Sequence, residues 1–270
     1  MPHEFAIGYT FYRKDWFDKR NMGPPTTWDE VVSVGKEWTA SPGWGTMEAM
    51  IKPGLMYVYM AYLTSQTGGS IFEFDDATAE AFQFAYDLIY THKIMPETAL
   101  SSDYTMQNEE YMSDRVAFMR QWPFFWDVAR GDAERYEEGM AEIALPPAGP
   151  AGALSWWGGW GFSVPTYAPN KEAALDLLAY ITAPAQAAVL AQGQSFFATP
   201  RASILEALGD NGIAPSMKLY ADNNVPAPRP FHEKIAEAQS VVDDVGSLFL
   251  TKQSTLEEAM QTGKDRMASL

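Results

Sequence analysis

Strand-like and helix-like segments alternate along this chain up to Trp160 and then give way to helices, an order that restricts the fold to an α/β arrangement with at least one layered domain. The opening segment FAIGYTFYR, residues 5–13, has the aromatic and β-branched content of a strand, and its apolar run predicts burial on both faces. PPTTWDEVVSVGKEW starts a helix. Thr27 is placed to cap it, Glu30 stands three residues on as in a capping box, and Asp29 with Glu30 puts negative charge at the positive end of the helix dipole. LMYVYMAYLTSQ reads as a buried helix, TGGSIFEFDD as a turn with a short extended piece, and DATAEAFQFAYDLIYTH as an amphipathic helix with Phe82, Ala85, Tyr86 and Ile89 at helical spacing. TMQNEEYMSDR predicts a short helix, RVAFMRQW a strand, PFFWDVARG a helix opened by its proline, and MAEIALPPAGPAGALS a strand entering a Pro/Gly-rich loop. Helices then follow at NKEAALDLLAYIT, PAQAAVLAQG, RASILEALG, PSMKLYADN, PFHEKIAEAQSVVDDVGSLFL and STLEEAMQTGKDRMASL, interrupted by the proline-rich turn VPAPRPF.

Chemistry is narrowed by what the chain lacks. Its 19 Lys+Arg against 35 Asp+Glu give a net charge of -16, which opposes binding to phosphate backbones or anionic lipid and argues against a nucleic-acid partner. With no cysteine there is no disulfide framework, thiolate metal site or cysteine nucleophile. His3, His92 and His232 are far apart and form no metal-binding pattern, so neither metal nor cofactor is expected. No G-x-S-x-G elbow or phosphate loop occurs. The adjacent acids Asp75–Asp76 and Asp243–Asp244 read as solvated residues rather than as a glycosidase pair across a cleft. MPHEFAIGYTFYRKD lacks the marks of a secretory signal peptide, and no apolar run approaches a membrane span.

Aromatic residues are what the chain has in excess, 14% of it, clustered at WPFFW (122–126) and SWWGGWGF (155–162). Such clusters serve either as core or as the wall of a ligand site. A pyranose offers a face of C–H groups that stacks on indole or phenol rings, while its hydroxyls need polar partners such as a forked arginine. Gly158 and Gly159 carry no side chain and let a ligand approach the main chain closely.

In order, PPTTWDEV after YRKD, AFMRQWPFFW, GGWGFSVPTYAPNKEAALDLLAYITAPAQAAVLAQ and APRPFHEKI resemble the extracellular solute-binding proteins of sugar ABC transporters, most nearly the trehalose/maltose-binding branch. The resemblance runs over essentially the whole chain. It implies a periplasmic-binding-protein-like fold of two α/β lobes that close on one sugar and present it to the ABC permease subunits, a binding role and no catalysis. It further implies that residues 1–155 and 203–270 form the second lobe and 156–202 a returning segment of the first, with most of the first lobe and a signal peptide lacking. The parent protein would be periplasmic or lipid-anchored outside the cell, and a monomer when complete. Residue by residue, the resemblance assigns sugar contacts to Trp122, Phe124, Gly159, Trp160 and Arg229, with Glu4, Trp157 and Arg201 as further candidates, and leaves Trp156 to packing. Ala6 stands where the branch often has an acid, and KPGL (52–55) where it has Tyr-Glu-Gly-Leu, which puts the identity of the sugar in doubt. The other readings are a carbohydrate-active hydrolase and a truncated remnant that binds no small molecule.

Overall fold

Seven short strands form two sheets in the computed structural model, which describes residues 5–40, 43–193, 206, 208–209 and 213–270. The strands are β1 (Ala6–Ile7), β2 (Tyr9–Arg13), β3 (Trp44–Thr46), β4 (Val116–Gln121), β5 (Ala141–Ala144), β6 (Ser155–Gly158) and β7 (Pro226–Ala227). The four-stranded sheet has the order β3-β4-β2-β5, with β2 antiparallel to both neighbours and β3 parallel to β4. In the three-stranded sheet β6 lies between β1, antiparallel, and β7, parallel.

The single strand expected over 5–13 is thus divided at Gly8, where the chain leaves one sheet and enters the other. A Cβ at Gly8 would sit 2.7 Å from Nη1 of Arg120 and 3.2 Å from Oγ of Ser155, so a larger residue at this crossing would displace the Arg120 side chain. The Ser155 hydroxyl donates to the Gly8 carbonyl at 2.7 Å and ties the second crossing to the first. VPAPRPF, expected as a turn only, contributes β7, whose Pro226 is tolerated because the strand lies at the edge of its sheet.

Helices α1 (Lys14–Lys19), α2 (Trp28–Trp38) and α5 (Tyr104–Met112) pack on the four-stranded sheet, α3 (Leu55–Thr67), α4 (Asp76–Tyr86) and α6 (Phe124–Gly131) lie between its strands in sequence, and further helices span Lys171–Ile181, Pro184–Gly193, Ala214–Asp222, Ile235–Leu250 and Leu256–Ala268. Helix α3 is buried almost all round, packed against α4 and Ile235–Leu250, as its uniform apolarity requires. Thr27 caps α2, accepting the Glu30 amide at 3.2 Å, but the Glu30 carboxylate reaches back to the amide of Thr26 at 2.7 Å, one residue short of a capping box. TGGSIFEFDD forms turns without the extended piece, its Phe74 having φ of 50°. Most of RASILEALG lies outside the described residues.

The adjacent acids are not simply solvated. Asp75 caps α4 through the Thr78 amide at 2.7 Å, and Asp244 pairs with Lys52 at 3.1 Å and Arg266 at 2.9 Å. Asp243 is buried and caps α3 from a helix far along the chain, accepting from the amides of Gly54 at 2.6 Å and Tyr57 at 2.8 Å. Lys171–Ile181, by contrast, buries none of its residues. No single helix among the described residues is long and apolar enough to cross a membrane.

Candidate functional site: an aromatic cleft

Where β4 ends, the turn into α6 is fixed by amide side chains. Gln121 accepts the Trp122 amide through Oε1 at 2.9 Å and donates through Nε2 to Asn108 and Gln107 of α5 at 2.8 and 3.1 Å. The Trp122 indole N–H donates to the Tyr104 hydroxyl at 2.7 Å, and its ring meets Trp156 of β6 edge-on with centroids 5.9 Å apart. Phe124 continues the wall against Tyr104, centroids 6.0 Å apart.

Opposite, β6 runs out through Gly158 and Gly159 to Trp160, which is 65% exposed. Between these walls lies a cavity of about 400 Å³ lined by Trp122, Phe124, Gly159, Trp160 and Arg229, five residues expected from the sequence, by Gly158, whose bare backbone the sequence marks as open to a ligand, and by Ala6, Val58 and Tyr104, which sequence reasoning did not assign to a ligand. That volume lies within the ordinary range of small-molecule sites. Its aromatic faces, glycine backbone and one guanidinium can together stack a flat apolar surface and donate hydrogen bonds to oxygen atoms. The Arg229 guanidinium lies 4.6 Å from the Trp156 ring and 5.8 Å from Tyr57, a cation held over aromatic faces at the cavity edge.

The three tryptophans of SWWGGWGF therefore have separate surroundings. Trp156 is 2% exposed and packs, whereas Trp157 is 40% exposed, stacks on Phe5 at 5.3 Å and does not line the cavity. Successive side chains of a strand leave opposite faces, so Trp156 and Trp157 of β6 cannot both point into one site. Glu4 and Arg201 lie outside the described residues. Tyr104 carries a weak sequence signal: it adjoins the short helix expected at TMQNEEYMSDR, but nothing local pairs it with an indole 18 residues away.

Beneath the cleft, Glu48 and Arg120 form a buried pair. Oε2 of Glu48 is 3.7 Å from Nε of Arg120, and its Oε1 accepts the Arg120 amide at 3.0 Å. Burial outweighs the attraction of the guanidinium and pushes the Glu48 carboxyl up from an ordinary value of 4.5 to about 7. The folded chain therefore retains a proton that the unfolded chain releases at lower pH, and the stability this group contributes below pH 4.5 is lost as pH rises through about 7.

Sheet order and helix placement together define a MalE-like periplasmic-binding-protein fold. The chain superposes on maltose-bound T. maritima MalE3 with a TM-score of 0.88 over 100% of its own length and 72% of that chain, at 24% identity. The GacH receptor of Streptomyces glaucescens, solved unliganded and with acarbose, matches with a TM-score of 0.84 over 98% of this chain and 69% of that one, at 20% identity. The family model for bacterial extracellular solute-binding proteins matches residues 4–188, and the chain belongs to that family. A probable ABC transporter-binding protein of Deinococcus radiodurans is 26% identical over 196 residues, and the arabinooligosaccharide-binding protein of Halalkalibacterium halodurans 26% over 197. Each alignment takes in 67% of this chain, which spans 46% and 42% of those relatives, a little under half of their length.

Proposed function

We propose that this chain captures a carbohydrate in the Trp122–Trp160 cleft for delivery to an ABC importer in the membrane, outside the cytoplasm. The observation that carries this reading is the cavity itself, with aromatic residues on both walls, bare glycine backbone and Arg229 at its edge. The names of similar proteins support it, since they bind maltose, acarbose or arabinooligosaccharides. Membership in a family of solute-binding proteins supports binding without catalysis. In this reading residues 1–155 and 203–270 form one lobe and 156–202 belong to the other, with β1 and β7 crossing over to pair with β6. A sugar bridging them stabilises the closed arrangement by its extra contacts there.

Calorimetric and tryptophan-fluorescence titrations with maltose, trehalose, sucrose and arabinooligosaccharides test the reading. Saturable binding with the sugar recovered unchanged is the expected result, and a folded chain that responds to none of them would count against it. Trp122→Ala and Trp160→Ala are each expected to weaken binding by about 1 to 3 kcal/mol, on the scale of aromatic stacking platforms. Unchanged affinity in both variants would remove these rings from the site.

The lobe assignment carries its own expectation. Leu177, Tyr180 and Val189 stand exposed on neighbouring helices of the 156–202 segment, which in the proposed arrangement pack against further first-lobe chain. The 270-residue chain alone is therefore expected to enhance ANS fluorescence and to sediment above its monomer mass. Leu177→Lys combined with Val189→Lys should reduce both signals; if neither changes, the apolar surface responsible lies elsewhere.

A further inference from the structure

Arg120 is not part of the cavity lining, yet it touches one of the walls. It is 5% exposed, its guanidinium carbon lies 5.5 Å from the centre of the Trp122 ring and 5.1 Å from that of Tyr62, and its Nη1 closes the space above Gly8. Any shift of this side chain moves the surface on which the Trp122 indole rests and the point where the chain passes between sheets. Glu48, 4% exposed, holds it from below.

Their polar atoms are incompletely used. Neither Oε2 of Glu48 nor Nε of Arg120 has a hydrogen-bond partner among the described residues, and both side chains border a cavity of about 40 Å³ also lined by Thr10, Thr46 and Gln66. A cavity of that size has room for a water, and although most of its lining is apolar, a carboxylate oxygen with a guanidinium N–H would supply the two partners a buried water needs.

We propose that Arg120 is a positioning residue for the Trp122 wall and that the charge on Glu48, acting on Arg120 directly and through bound water, sets that position; its relevance to ligand capture rests on the cleft being the binding site. When Glu48 is ionised, attraction draws the guanidinium toward the small cavity. When Glu48 is protonated that attraction is lost, the carboxyl becomes a donor to water, and the cation is free to settle on the Trp122 and Tyr62 faces. Tyr59 and Tyr62 of α3 also face Glu48, and Tyr104 of α5 and Tyr220 of the helix Ala214–Asp222 face Arg120. Burial pushes Tyr59, Tyr62 and Tyr220 above the ordinary phenol value, which keeps them neutral near pH 7.

The test is near-UV circular dichroism of the 270-residue chain between about pH 5.5 and 8.5, with the spectrum of Trp122→Phe subtracted to isolate the Trp122 contribution. The expected result is a Trp122-dependent change with a midpoint near pH 7 that is lost in Glu48→Gln. Because that variant leaves Arg120 without a counter-charge and can fail to fold, Glu48→Gln/Arg120→Met serves beside it, replacing the pair by neutral groups of similar size; it too should lose the transition. A flat Trp122 contribution in the folded chain, or a transition that persists in either folded variant, would overturn the proposal. No sugar is added, so a negative outcome bears on the pair alone, while a failed sugar titration bears on the proposed function.

Discussion

Replacing Asp243 by alanine is expected to lower the free energy of unfolding by about 2 to 3 kcal/mol, the cost of stranding one buried and one partly buried amide donor at one helix start. Its carboxylate accepts from Gly54 and Tyr57, and no residue of α3 or of the turn before it caps the helix instead. A surface cap is worth about 1 kcal/mol, but here the Tyr57 amide is buried against a helix from the other end of the chain, where water has little access. Asp243→Asn, which keeps one acceptor oxygen, should recover part of the loss. The midpoint of a urea melt checks both. A fall in Asp243→Ala smaller than about 1 kcal/mol would mean that solvent reaches the helix start. The consequence extends to the cleft, because α3 presents Val58 to the cavity and Tyr57 to Arg229.

A comparable loss, about 3 kcal/mol, is expected for Gly45→Ala. A Cβ there would lie 2.5 Å from the Cα of Gly35 and 2.6 Å from its carbonyl oxygen, so β3 and α2 would have to move apart, with no rotamer to relieve the clash. Gly35→Ala is the control. Its Cβ would meet the Cδ1 atom of Ile94 at 2.7 Å, the far end of a side chain that can turn away, and the cost should stay below about 1 kcal/mol. Equal melting points for the two variants would refute this account of the contact. Because β3 leads directly to Met47 and Glu48 and pairs with β4, damage at Gly45 is also expected to reach the pair beneath Trp122.

The order of strands and helices was legible because each long element carries its own period or its own uniform apolarity, as α3 does. The division at Gly8 was not. Ala6 to Thr10 are all buried, so a strand that changes sheets has the same local pattern as one that continues. Asp243 misleads for a related reason: an acid beside an acid looks solvated until the amides 186 and 189 residues away are brought to it. In the cleft, composition marks the clusters that hold Trp122 and Trp160 as core or ligand wall, whereas choosing those two rings and Arg229 depended on family likeness and Tyr104 on a hydrogen bond that no spacing rule contains. Trp156 and Trp157 are neighbours in sequence, yet strand alternation gives them different surroundings, Trp156 against Trp122 and Trp157 against Phe5.

The single-residue crossing at Gly8 has a mechanical corollary. Trp122 is anchored to the four-stranded sheet, and the Gly158–Trp160 wall to the three-stranded one. If the two sheets turn about the Gly8–Ser155 contact, the aperture between the indoles would follow the angle between them. Strain applied at either residue would alter the spacing of the rings without touching a ring. A distance probe spanning the two walls would register such a change even with nothing bound.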